Sequence, residues 1–137
     1  ISGPSEYEVM RTNSIAKKNR AIQTKLEKVI SYTKQTMVAY MSEEDLNRLC
    51  AYVVEYSSGG IFCKIPPVKA DSQLKSIDIM HFGWNIGKAF SRKRVHTATF
   101  IKNVFAYTLR DLEISTIERK MSHTESECRI KLDDKIG

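Results

Sequence analysis

Ser76-Ile77-Asp78-Ile79-Met80-His81-Phe82-Gly83-Trp84-Asn85-Ile86-Gly87-Lys88-Ala89-Phe90 is the stretch on which the reading of the fold turns. Leu74, Ile77, His81 and Trp84 make one apolar stripe at helical spacing, and Ile79, Phe82, Ile86 and Phe90 make another. A helix that is apolar on two sides belongs between neighbours rather than on a surface. Asp71 or Ser72 can cap it, so a helix is predicted over 72–90. Gly83 and Gly87 each cost about 1 kcal/mol relative to alanine in a helix interior. Their presence four apart implies a close approach by another element, and Trp84 and the glycines read as packing features.

Working toward the C-terminus, Ser91-Arg92-Lys93-Arg94 is a basic connection. Val95, Thr99, Phe100, Ile101, Val104, Phe105 and Leu109 then predict a helix over 95–109, and Asp111-Leu112-Glu113 a short turn. Ser115-Thr116-Ile117-Glu118 fits a capping box, which places a last helix over 116–123. Ile117 and Met121 should face in, and Thr116, Arg119 and Lys120 out.

Working toward the N-terminus, Ile61-Phe62-Cys63-Lys64-Ile65 is short and β-prone, stopped by Pro66-Pro67. Cys128-Arg129-Ile130-Lys131-Leu132 alternates in the same way, so the two predict a small accessory ribbon. Before them, Ser42-Glu43-Glu44-Asp45 opens a helix with a cap and acids in the first turn. Leu46, Leu49, Cys50, Val53 and Val54 form its apolar face, and Ser57-Ser58-Gly59-Gly60 ends it near Tyr56. Ile15, Ile22 and Val29 fall seven apart within a helix predicted over 14–40, with Lys17, Lys18, Arg20, Lys25, Lys28 and Lys34 on its other face. Residues 1–13 read as a flexible lead-in. The expected fold is mainly α: a helical hairpin over 14–60 and a helical module over 61–137 with two short strands, sharing one core.

Composition narrows the function classes. The chain has 137 residues, 42% hydrophobic and 28% charged, which suits one globular domain or two small subdomains with a common core. No apolar run reaches the roughly 18 residues of a membrane span, and a cytoplasmic protein is expected. Three cysteines at distant positions do not make a disulfide framework. His81, His96 and His123 are scattered and lack metal-ligand spacing, so no metal or other cofactor is expected. His81 reads as a satisfied core histidine that Asp78 can orient. No phosphate-binding glycine loop and no nucleophile elbow occurs, and no enzyme activity is expected.

The net charge is +6. Residues 1–40 hold seven bases and three acids, residues 41–60 one and four, and residues 61–137 fourteen and nine. The basic excess thus lies toward both ends, which favours a polyanionic partner. Leu112 to Met121 resembles the opening of the recognition helix in many bacterial regulators: an apolar residue and Ser, an inward Ile, then basic residues. It departs from that pattern in a shorter Ser-to-Ile interval, the absence of a turn glycine, and Glu118. The resemblance implies a helix-turn-helix-like unit, or a winged helix if Cys128–Leu132 is a strand. Ser115, Thr116, Arg119 and Lys120 would then face a DNA groove, with Arg129 and Lys131 on the wing. Lys88, Arg92, Lys93, Arg94 and Lys102 would contact the phosphate backbone, which sets affinity rather than specificity. The expected function is a small DNA-binding protein, a transcriptional regulator or mobile-element accessory factor, with double-stranded DNA as partner. The alternative is a helical interaction or oligomerisation module in which the 14–40 helix or the Trp84 face meets a second copy or another protein.

Overall fold

The computed structural model describes residues 3, 5–60, 65–124 and 127–136. Among these residues it is all-α, with five helices: α1 (Glu6–Met37), α2 (Glu43–Ser57), α3 (Ser76–Ala89), α4 (Arg94–Val104) and α5 (Ile114–Lys120). α1 and α2 form an antiparallel pair, and α3, α4 and α5 pack as a module. One apolar cluster joins them, from Val29 and Leu49 through Phe82 and Phe100 to Ile117. No described helix is long and apolar enough to cross a membrane.

The helix ends follow local chemistry. Ser42 caps α2, its Oγ accepting from the Asp45 amide at 3.2 Å, as its sequence implies. At the other end Gly59 takes φ 85, a conformation that suits glycine. The Gly59 amide donates to Tyr56 O and the Gly60 amide to Glu55 O, satisfying carbonyls that the helix leaves open. α1 begins earlier than its apolar pattern suggests. Ser5 Oγ accepts from the Glu8 amide at 3.2 Å, and Glu6 and Glu8 stand in the first turn. Residues 6–13, expected as a loose lead-in, are therefore helical. They carry no buried side chain, which is why periodicity does not reveal them.

α3 is buried on most of its surface and is the centre of the module. It begins at Ser76 rather than Ser72, because Asp71 closes a turn of its own. The Asp71 carboxylate accepts from the Gln73 amide at 2.9 Å, and Asp71 O accepts from the Leu74 amide. The two glycines are where α4 comes close. A Cβ on Gly83 would lie 2.7 Å from Ile101 Cγ2, and one on Gly87 2.6 Å from Thr97 Oγ1. α3 ends with Ser91 at φ 54, its amide donating to Lys88 O and the Arg92 amide to Gly87 O. α4 stops at Val104, five residues before the expected Leu109. The Val68 amide takes Val104 O at 2.9 Å, and Phe105 and Leu109 continue into the core through turns. α5 starts at Ile114 after Glu113, so Ser115 lies inside the first turn and is not the cap. Ile117 and Met121 are buried and Arg119 and Lys120 exposed, as expected.

The predicted ribbon is corrected. Residues 128–132 are not a strand, and no strand forms among the described residues. Residues 61–64 of the other predicted strand lie outside the described residues. The reason is that α3 side chains take the backbone groups a ladder would use. Asp78, 2% exposed, accepts from the Arg129 amide at 2.6 Å and the Ile130 amide at 3.0 Å, besides the Lys75 amide at its own helix start. His81 Nδ1 lies 2.8 Å from Ile130 O, and its Nε2 meets His123 O. Asn85 donates to Lys131 O and accepts from the Asp133 amide. Residues 78, 81 and 85 share one side of α3, so the C-terminal segment lies along it as a strap. With no strand at 128–132, there is no wing to carry Arg129 and Lys131. His81 is buried in the core with its ring nitrogens facing the backbone carbonyls of Ile130 and His123 rather than Asp78.

Candidate nucleic-acid interface

Six of the basic and polar residues expected at the site gather around one end of α3. The helix stops at Ala89, and α4 starts two residues after Arg92. The turn between them, the last turn of α3 and the end of α5 enclose a cleft of about 320 Å³. Trp84, Lys88, Arg92, Arg94, Thr97 and Met121 are among its walls. That volume is at the small end of ligand-sized cavities, which run from about 300 to 1,000 Å³. Among the described residues three cations and no carboxylate line it.

Each cation is held differently. Lys88 is exposed, and its ammonium lies 5.5 Å from the Trp84 ring centroid. Arg92 is half-buried. Its Nη2 donates to Ser57 O at 2.9 Å, at the end of α2, and its guanidinium carbon is 6.0 Å from the Tyr56 ring. Arg94 donates to Glu118 O at 2.6 Å and Ser122 Oγ at 3.1 Å, fastening α4 to the end of α5. These bonds fix the two guanidinium planes. An ordered, weakly hydrated fork loses less entropy on meeting a phosphate than a free side chain does. Lys93 stands exposed at the start of α4, whose first turn contains no acid and no side-chain cap. The helix dipole there adds to the positive potential. Arg119 and Lys120 are exposed in the last turn of α5, next to Met121 in the cleft wall.

Beneath the cleft lies Tyr56. Its ring stacks on Phe100 at 4.4 Å, and its hydroxyl is 2.6 Å from Thr97 Oγ1. Burial pushes this phenol up to about 12, while the Thr97 bond and the Arg92 charge pull in the other direction. Tyr56 is thus a neutral post under Arg92 and the α3–α4 turn.

The other expected residues lie elsewhere. The Lys102 ammonium bonds Leu112 O and ties α4 to the connection before α5. Ser115 is exposed and Thr116 half-buried in the first turn of α5. Arg129 Nε donates to Gln73 O at 3.2 Å, and Arg129 and Lys131 border hollows beside Tyr40, toward the opposite end of α3 for Arg129. Trp84, expected as a packing residue or a protein-contact face, and Ser91 stand outside the DNA-contact residues that the sequence suggests. The only advance sign of them is that an otherwise apolar helix ends on Trp84, Lys88 and a basic run. Among the described residues no three of His, Cys, Asp and Glu gather to hold a metal ion.

No family model matches the chain, and neither a curated protein nor a solved structure matches it.

Proposed function

We propose that this protein is a non-enzymatic DNA-binding protein whose phosphate contacts centre on the cleft at the end of α3. The observation that carries the reading is the convergence of Lys88, Arg92 and Arg94 on one cleft that no carboxylate lines among the described residues. Lys93, Arg119 and Lys120 extend the same basic surface. In this reading α4 and α5 form a helix-turn-helix-like unit with a long connection, residues 105–113. Arg94 and Lys102 hold the unit together, and the exposed face of α5 meets the groove. A regulator or a mobile-element accessory factor fits this architecture.

The test is a titration with random-sequence duplex DNA at 50 and 200 mM salt. Contact of the cleft surface alone with about five phosphates contributes about −4.5 to the slope of log affinity against log salt, a loss of about 500-fold over that range before any contact made elsewhere on the chain. Lys88→Ala and the pair Arg119→Ala with Lys120→Ala should each weaken binding and flatten the slope. No salt-sensitive binding at the lower salt would defeat the reading.

A second reading, a helical interaction module, has one observation in its favour. Ile15 and Ile22 on α1 are 49% and 55% exposed on the stripe that becomes core at Val29.

A further inference from the structure

The free half of α1 is the least explained feature of the fold. Every side chain from Glu6 to Thr24 is exposed, and this length rises about 28 Å. Most of a helix's stability in a protein comes from packing rather than from propensity, so an unpacked arm of this kind gains from a partner.

Most of the positive charge on the arm lies on one side. At about 100° per residue, Arg11, Lys18 and Lys25 form one row along the helix, and Lys17 and Lys28 form a second, about 90° away. Ser14 and Ala21 lie between the rows. Glu6, Glu8, Glu27 and one base, Arg20, fall outside this arc, which holds the other five bases of residues 6–28 and no acid. The arc fits a major groove. The groove is about 12 Å wide and a helix about 10–12 Å across. Small side chains at Ser14 and Ala21 let the axis approach the base edges, while the two rows face the two phosphate walls.

The arm also leaves the body at the appropriate end. α3 runs antiparallel to α1, since Asp71 N donates to Tyr40 O and Asn85 donates to the Tyr32 hydroxyl. Arg92 reaches Ser57 at the finish of α2, and the cleft therefore lies at the end from which the arm projects.

We propose that residues 6–28 of α1 lie in the DNA major groove as a second contact, continuous with the cleft. This rests on the DNA-binding reading above. A second copy is the less complementary occupant. Antiparallel pairing would bring Glu6 and Glu8 toward Lys25 and Lys28 but would set Lys17 and Lys18 against their own copies.

The experiment compares the full chain with a variant carrying Arg11→Gln, Lys17→Gln, Lys18→Gln, Lys25→Gln and Lys28→Gln, titrated with duplex DNA across a salt series. Five lost phosphate contacts flatten the slope by about 4.5, so the parent loses about 500-fold more affinity than the variant between 50 and 200 mM salt. Ala21→Glu, which sets an acid between the rows, should weaken binding while leaving the helix content of the free protein unchanged. Equal slopes for parent and variant, with DNA still bound, would overturn the arm contact and leave the cleft reading standing. No DNA binding by the parent would remove both. A parent that sediments as a dimer, and a variant that is monomeric with its DNA slope intact, would assign the arm to a second copy instead.

Discussion

Asp78→Ala should release the C-terminal strap and cost a large part of the stability. The Asp78 carboxylate accepts three backbone N–H groups, from Lys75, Arg129 and Ile130, at 3.0, 2.6 and 3.0 Å. Hydrogen bonds to a charged group contribute about 1.5–3 kcal/mol each. Returning a buried carboxylate to solvent is not an issue once it is replaced by a methyl, and that relief offsets part of the loss. The Arg129 and Lys75 amides are partly buried and can recover water, whereas the Ile130 amide is buried and cannot. The net cost comes to about 4 kcal/mol, against a total of about 5–15 kcal/mol for an ordinary domain. Asp78→Asn keeps an acceptor for Arg129 and Ile130, loses the charge, and turns its amide toward the Lys75 N–H, for about 2 kcal/mol. With a urea dependence of about 2 kcal/mol per molar, the midpoints should fall by about 2 M for Ala and 1 M for Asn. Hydrogen exchange at Arg129 and Ile130 should accelerate in the same order. A midpoint within 0.3 M of the parent, roughly 0.6 kcal/mol on that slope, together with unchanged exchange, would refute the strap as the reason these residues are not a strand.

Other consequences follow from the same contacts. Gly87→Ala drives a methyl to 2.6 Å from Thr97 Oγ1 and disturbs the Tyr56 bond to that hydroxyl. Overpacking of about 1–3 kcal/mol against a helix-propensity gain of about 1 predicts a lower melting temperature, and a rise would contradict the close α3–α4 crossing. Tyr56 holds its proton up to about 12, whereas an unfolded tyrosine releases it near 10. Its stabilisation is complete below pH 10 and is lost as the pH rises to about 12, about 3 kcal/mol in all. Tyr56→Phe should remove that alkaline loss from denaturation curves, and an unchanged alkaline slope would contradict the buried phenol.

Much of the helical framework was legible because its signals are local. Ser42 with three following acids marks the start of α2, and Gly59-Gly60 marks its end. Gly83 and Gly87 on a doubly apolar helix announce a close crossing, though not that Ile101 and Thr97 fill it. What failed depended on distant partners. The alternation at 128–132 is real, but Asp78, His81 and Asn85 claim its backbone groups across about fifty residues of chain. Three polar residues on one side of an otherwise apolar helix were the available sign. The end of α4 was misplaced because Val68, far upstream, takes the Val104 carbonyl. The basic residues show the same division. Sequence places Arg92, Lys93 and Arg94 together but does not reveal that Arg92 and Arg94 also bind the carbonyls of Ser57 and Glu118. The extra N-terminal turns of α1 rest on Ser5 and two acids rather than on any apolar pattern.

Trp84 is the chain's only tryptophan, and it lines the cleft beside the Lys88 ammonium. Its fluorescence therefore reports directly on the cleft. Duplex DNA added at low salt should change the Trp84 emission along a saturating curve that coincides with binding measured independently, and added salt should reverse it. DNA binding that leaves Trp84 emission unchanged would contradict the assignment of the cleft as the centre of contact.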